Sequence, residues 1–114
     1  MYVEERMYLL HPGKVAEYFR IYEAEGMATQ LKHLPHMVGY YSTEVGLQNM
    51  VIHLWAYDDL NQRDKCRAAM QADPAWQAYV AKIRPLVVTQ DTRIMKPAPF
   101  FKERLSKMLA VKDA

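Results

Sequence analysis

The sequence predicts an α+β domain of the ferredoxin-like kind, β-α-β-β-α-β, built on a four-stranded antiparallel sheet. Three observations carry this expectation. Strand-like runs at 2–10, 36–45, 48–57 and 86–96 are separated in turn by a helical stretch, a short glycine-bearing turn and a second helical stretch. Alternation through 48–57 places Asn49, Val51, His53, Trp55 and Tyr57 on one face and Met50, Ile52, Leu54 and Ala56 on the other. Prolines and aspartates that start or stop helices fall between these runs, at Pro12, Pro35, Asp58-Asp59, Asp73-Pro74 and Pro85.

Residues 2–10 (YVEERMYLL) read as the first strand, with both faces mixed. Pro12 sits where a first helical turn has no use for an N–H. Val15, Tyr18, Phe19 and Tyr22 then follow at helical spacing, and Leu31 and Leu34 extend the stripe until Pro35. Gly26, near that stripe, either permits a close backbone approach or weakens the helix by about 1 kcal/mol relative to alanine. Strands at 36–45 and 48–57 are joined through Gly46, which tolerates the positive φ of a tight turn. Asp59 with Gln62 resembles a capping box and starts a helix from about 59 to 71. Asp73-Pro74 starts a separate helix whose buried stripe is Trp76, Tyr79, Val80 and Ile83. The fourth strand covers 86–96; Pro97 and Pro99 then frame a loop before a short amphipathic helix around Leu105, Met108 and Leu109.

With 114 residues the chain is expected to form one domain, 1–114, with a C-terminal tail from about 98. Fifteen basic residues are scattered among thirteen acidic ones for a net charge of +2, so no single-sign surface for nucleic acid is expected. The lone Cys66 excludes an intrachain disulfide and suits a reducing compartment. Glu4, Glu5 and Arg6 interrupt any apolar targeting segment, and no apolar run approaches the ~20 residues of a membrane span. A cytoplasmic protein without a membrane partner is the expectation. Neither sheet face is strongly polar, while the helices suffice for one. Burial of the other face between two copies, a homodimer, is therefore expected.

Pro12-Gly13-Lys14, Val38-Gly39-Tyr40-Tyr41 followed by Glu44-Val45-Gly46, His53-Leu54-Trp55-Ala56-Tyr57-Asp58-Asp59-Leu60 leading to Arg63 and Arg67, and Asp73-Pro74-Ala75-Trp76 together resemble the NIPSNAP family, from about residue 3 to 101. The resemblance implies a dimeric α+β barrel, in which two ferredoxin-like protomers pack sheet to sheet. The wider superfamily includes cofactor-free monooxygenases, haem-degrading enzymes, dehydratases and stress-responsive barrels, an analogy at the level of fold that does not settle function.

The candidate chemistry centres on His53, flanked on its face by Val51 and Trp55. It is read either as a general base in an apolar pocket or as a structural histidine hydrogen-bonded within the sheet or interface. Arg63 and Arg67 share a helix face, where they can clamp a carboxylate or phosphate or pair with Asp59, Asp64 or a strand glutamate such as Glu44; Arg63 is the better ligand candidate. Arg6 with Glu4 reads as an ion pair sooner than as a site. Tyr8, Tyr40, Tyr41, Trp55, Tyr57 and Trp76 either line a cavity for a planar organic ligand or pack core and interface. Tyr40, Trp55, Tyr57 and Arg63 are thus the ligand-binding candidates, with no cofactor and no metal expected, since His11, His33 and His36 show no ligand spacing. Three functional readings stand. The first is a small-molecule-binding homodimer with its pocket beside strand 48–57. The second is a cofactor-independent monooxygenase acting on an aromatic substrate with His53 as base. The third is a non-catalytic structural or interaction protein. The pattern leaves open whether His53 faces the helices or the barrel interior.

Overall fold

The computed structural model describes residues 1–110; positions 111–114 of the anticipated tail lie outside the described residues. The elements are β1 (Tyr2–Leu10), α1 (Val15–Ile21), a π-helical turn (Tyr22–Gly26), α2 (Met27–His33), β2 (His36–Ser42), β3 (Met50–Tyr57), α3 (Leu60–Ala72), α4 (Pro74–Ile83), a 3-10 turn (Arg84–Leu86), β4 (Val87–Met95) and α5 (Pro99–Ala110). The four strands form one antiparallel sheet in the order β2-β3-β1-β4, the ferredoxin-like arrangement.

Local chemistry accounts for the helix starts. Asp59 accepts the Gln62 backbone N–H at 2.7 Å, and the Gln62 side chain reaches back to the Asp58 N–H at 2.6 Å, so one unpaired donor of α3 and one just ahead of its cap are satisfied together. Asp73 accepts from the Ala75 N–H at 2.9 Å with Pro74 at the first helical position. The hairpin loop is wider than a two-residue turn. β2 stops at Ser42 and β3 begins at Met50, with Gly46 at φ 121° and Asn49 at φ 64°. Asn49 tolerates the left-handed region through its short polar side chain, which accepts the Gly13 N–H at 3.1 Å.

The helix between β1 and β2 departs from the predicted stripe. Leu31 is 45% exposed, whereas Gln30 is buried. The cause is the π turn, closed by the Met27 N–H bonding to the Tyr22 carbonyl five residues back. Its wider circumference carries the inward face in steps of four, through Tyr18, Tyr22, Gly26 and Gln30, all buried on the sheet side. Gly26 serves as the close approach: a Cβ there would stand 2.7 Å from the Tyr79 ring of α4.

The tail also differs from expectation. Pro99 opens α5 instead of framing a loop, and the helix runs to Ala110. Its Leu105 is buried against Val3 and Ala56, so α5 covers one end of the sheet face that the other helices leave bare. The main core lies on the opposite face. There Tyr8, Leu10 and Val51 meet Tyr18, Ile21 and Tyr22 of the first helical segment and Tyr79 and Ile83 of α4. This settles the orientation of β3: Val51, His53, Trp55 and Tyr57 face the helices inside the protomer.

Candidate functional site

The sheet places Arg6 of β1 directly opposite His53 of β3, with Tyr8 opposite Val51 and Glu4 opposite Trp55. On the other side of β3, Tyr40 of β2 also stands opposite His53. All of these side chains point toward α1, α3 and α4. Between sheet and helices they leave a cavity of about 480 Å³, within the range of small-molecule sites. Tyr8, Tyr18, Tyr22, Tyr40, Trp76 and Tyr79 supply its aromatic wall, and Arg6, His53, Arg67, Arg84 and the amides of Gln30, Gln71, Gln77 and Gln90 its polar groups.

His53 is 2% exposed. Its ring stacks on Tyr40 at 4.6 Å with planes 11° apart, and Tyr8 meets it edge-on at 5.0 Å. The indole N–H of Trp55 donates to Nδ1 of His53 at 2.7 Å. Burial, and then the charges of Arg6 and Arg67, pull the imidazole pKa down to about 3. The ring is therefore neutral at ordinary pH, and because Nδ1 accepts, its single proton sits on Nε2. That Nε2–H is buried and has no hydrogen-bond partner.

Below His53 lies a charge cluster. Glu4 is fully buried, and its Oε2 accepts from Nε of Arg63 at 2.5 Å. Its Oε1 lies 3.7 Å from both Arg6 and Arg67 without a hydrogen bond. Arg6 also donates to the Tyr8 hydroxyl at 2.8 Å. Burial and the neighbouring Arg6 hold the Arg67 guanidinium below its ordinary pKa. The tyrosines stay neutral. Tyr18 and Tyr40 share a hydroxyl–hydroxyl bond of 2.9 Å, and desolvation pushes Tyr18 up to about 12 and Tyr40 and Tyr79 further up. Tyr22 donates to Gln30 at 2.6 Å, fixing that amide at the cavity edge.

Of the residues singled out from sequence, His53 and Tyr40 stand together on the cavity wall. Trp55 lies behind the wall, where it orients His53. Tyr57 is buried beside Met70 and Leu34, and its hydroxyl, without a partner, is raised to about 12 by desolvation and then Glu4. Arg63 is spent on Asp64 and a strand glutamate, away from the cavity, as the pairing alternative expects, with Glu4 of β1 as that glutamate in place of Glu44. Arg6 and Arg67, each paired with Glu4 only at 3.7 Å, reach the cavity, as does Arg84. Among the described residues no group of three His, Cys, Asp or Glu side chains is placed to hold a metal. No helix among them is long and apolar enough to cross a membrane.

The sequence model of the NIPSNAP family matches residues 3–102. The chain belongs to the NIPSNAP family. Human NipSnap homolog 3A is 31% identical over 104 residues, covering 90% of this chain and 41% of the human protein. The chain thus spans less than half the length of the curated NipSnap relatives it matches. A NIPSNAP family protein from Agrobacterium tumefaciens superposes with a TM-score of 0.86 at 40% identity, covering 88% of this chain and 90% of that one. An antibiotic biosynthesis monooxygenase superposes at 0.61 with 13% identity over 87% of this chain and all of that one, a likeness of fold alone.

Proposed function

We propose that this NIPSNAP chain binds a small organic molecule in the cavity between sheet and helices, as a homodimer joined through the uncovered sheet face. The observation that carries the binding reading is the cavity of about 480 Å³ beside β3, walled by tyrosines and Trp76 with a few convergent polar groups. The dimer reading rests on Met7, Leu9, Met50 and Ile52, which are only partly buried, and on Tyr41 beside them, 58% exposed. The cavity also speaks against a purely structural role, which would fill that space with side chains.

A cofactor-independent oxygenase with His53 as general base is the weaker reading. The Nδ1 lone pair is occupied by the Trp55 N–H, and Nε2 already carries the proton. In any chemistry at this site His53 acts as a hydrogen-bond donor.

The test is a screen of planar aromatic fragments by ¹H–¹⁵N NMR on the intact chain. Binding is expected to shift the Trp76 indole and the Tyr40 and His53 signals. Fragments that move only surface resonances, with Trp76 and Tyr40 unchanged, would count against the cavity as a binding site.

A further inference from the structure

We infer that the cavity is a site for an organic acid: a carboxylate, or an enolate-like oxyanion, seated on the Nε2–H of His53 and the guanidiniums of Arg6 and Arg67, with its planar body against the tyrosine wall. This rests on the small-molecule reading above and names the class of ligand.

Three observations converge on an anion. The first is the unmatched donor. A neutral imidazole whose Nδ1 is held by Trp55 presents a fixed N–H, and burying that donor unpaired is unfavourable unless an acceptor arrives. The second is the charge balance. Arg6, Arg63 and Arg67 share Glu4, and only Arg63 bonds it closely, so Arg6 and Arg67 hold positive charge that is 14% and 16% exposed and poorly compensated. The third is the lining itself: Arg6, Arg67 and Arg84 contribute to it, and no aspartate or glutamate does. A carboxylate suits this set because a guanidinium fork matches its two oxygens and charge-assisted bonds are the stronger kind. Free phosphate or sulfate satisfies the same donors and leaves the aromatic wall bare. The stacked Tyr40 and the Tyr22, Tyr79 and Trp76 rings favour an acid with a flat apolar body.

His53 and Trp55 also define what kind of acceptor is recognised. The indole bond prevents the imidazole from turning its Nε2 into an acceptor, so a ligand that offers only donors at that point is rejected.

The experiment compares benzoate and 2-naphthoate with benzamide and 2-naphthamide, and with inorganic phosphate, by calorimetry on the wild-type chain. The acids are expected to bind about tenfold or more tightly than their amides, with phosphate weaker than 2-naphthoate. His53→Asn, which keeps an acceptor for Trp55 and removes the outer donor, is expected to weaken 2-naphthoate about tenfold, and His53→Gln, which keeps a donor near the Nε2 position, to preserve it. Should a variant fail to fold, long-range ¹H–¹⁵N spectra of wild-type His53 decide instead: the Nε2-protonated tautomer is expected, with its N–H shifted by 2-naphthoate. Acid and amide binding equally, or the Nδ1-protonated tautomer, overturns the oxyanion assignment and leaves the small-molecule cavity standing. No uptake of acid or amide at millimolar concentration overturns both.

Discussion

Tyr79 lies edge to the backbone of Gly26, its Cε1 2.7 Å from where a β-carbon would project. Both residues are buried, and the Tyr79 ring is braced by Tyr22 and Trp76. Gly26 has φ −113°, so the obstacle to a side chain is space and not backbone strain. Gly26→Ala is therefore expected to destabilise the fold by about 1–3 kcal/mol through overpacking, read as a lower denaturant midpoint with unchanged slope. An alanine variant as stable as wild type would mean that the ring can withdraw.

His53 makes a definite prediction for pH. Its folded pKa is held near 3, whereas the unfolded imidazole titrates around 6.5. Between these values the unfolded chain binds a proton that the native chain refuses, so stability falls as pH is lowered through that window, by up to about 1.4 kcal/mol per pH unit. His53→Asn should lose stability less steeply over the same range. Protonating Nδ1 must also break the Trp55 bond, so indole fluorescence should change along with unfolding. A variant with the same acid limb as wild type would assign acid sensitivity to other groups.

Glu4 holds Arg63 at 2.5 Å and lies within 3.7 Å of Arg6 and Arg67. Glu4→Gln leaves three guanidiniums without a buried counter-charge, and a loss of about 3–5 kcal/mol is expected in chemical denaturation. Because the deficit is one of negative charge, added benzoate should restore part of the thermal midpoint in this variant more than benzamide does. Equal effects of acid and amide would argue that the lost packing, and not the charge, matters.

The proposed dimer is tested at Ile52, on the sheet face opposite His53. The wild-type chain should sediment at twice 13.3 kDa and Ile52→Asp at the monomer mass. A wild-type chain at 13.3 kDa across the micromolar range would remove the sheet-to-sheet interface.

Much of the fold was legible because its signals are local. Alternation defined β3, and Asp59, Gln62, Asp73 and Pro74 marked α3 and α4 to within a residue or so. The family resemblance was carried by the same segments. The site was harder to read because its decisive pairings span long stretches of chain. Glu4 finds Arg63 across 59 positions, and nothing in their neighbourhoods distinguishes Arg63, spent on that pair, from Arg67, which faces the cavity. The role of Trp55 shows only when its N–H is seen on His53. Gln30 was passed over because a regular helical period carries the inward face elsewhere.

The π turn is one residue of surplus helix, and removal of one residue from Tyr22–Gly26, such as the exposed Glu23, relaxes it to a regular helix. The inward positions Tyr18, Tyr22, Gly26 and Gln30 then fall at the four-, three- and four-residue spacing of a regular helix, and Gln30 keeps its place at the cavity edge. A residue lost anywhere else between Val15 and His33 has no such slack to draw on and swings everything after it by about 100°, so the π turn is the one place in this helix where the chain can shorten without moving the cavity's polar corner.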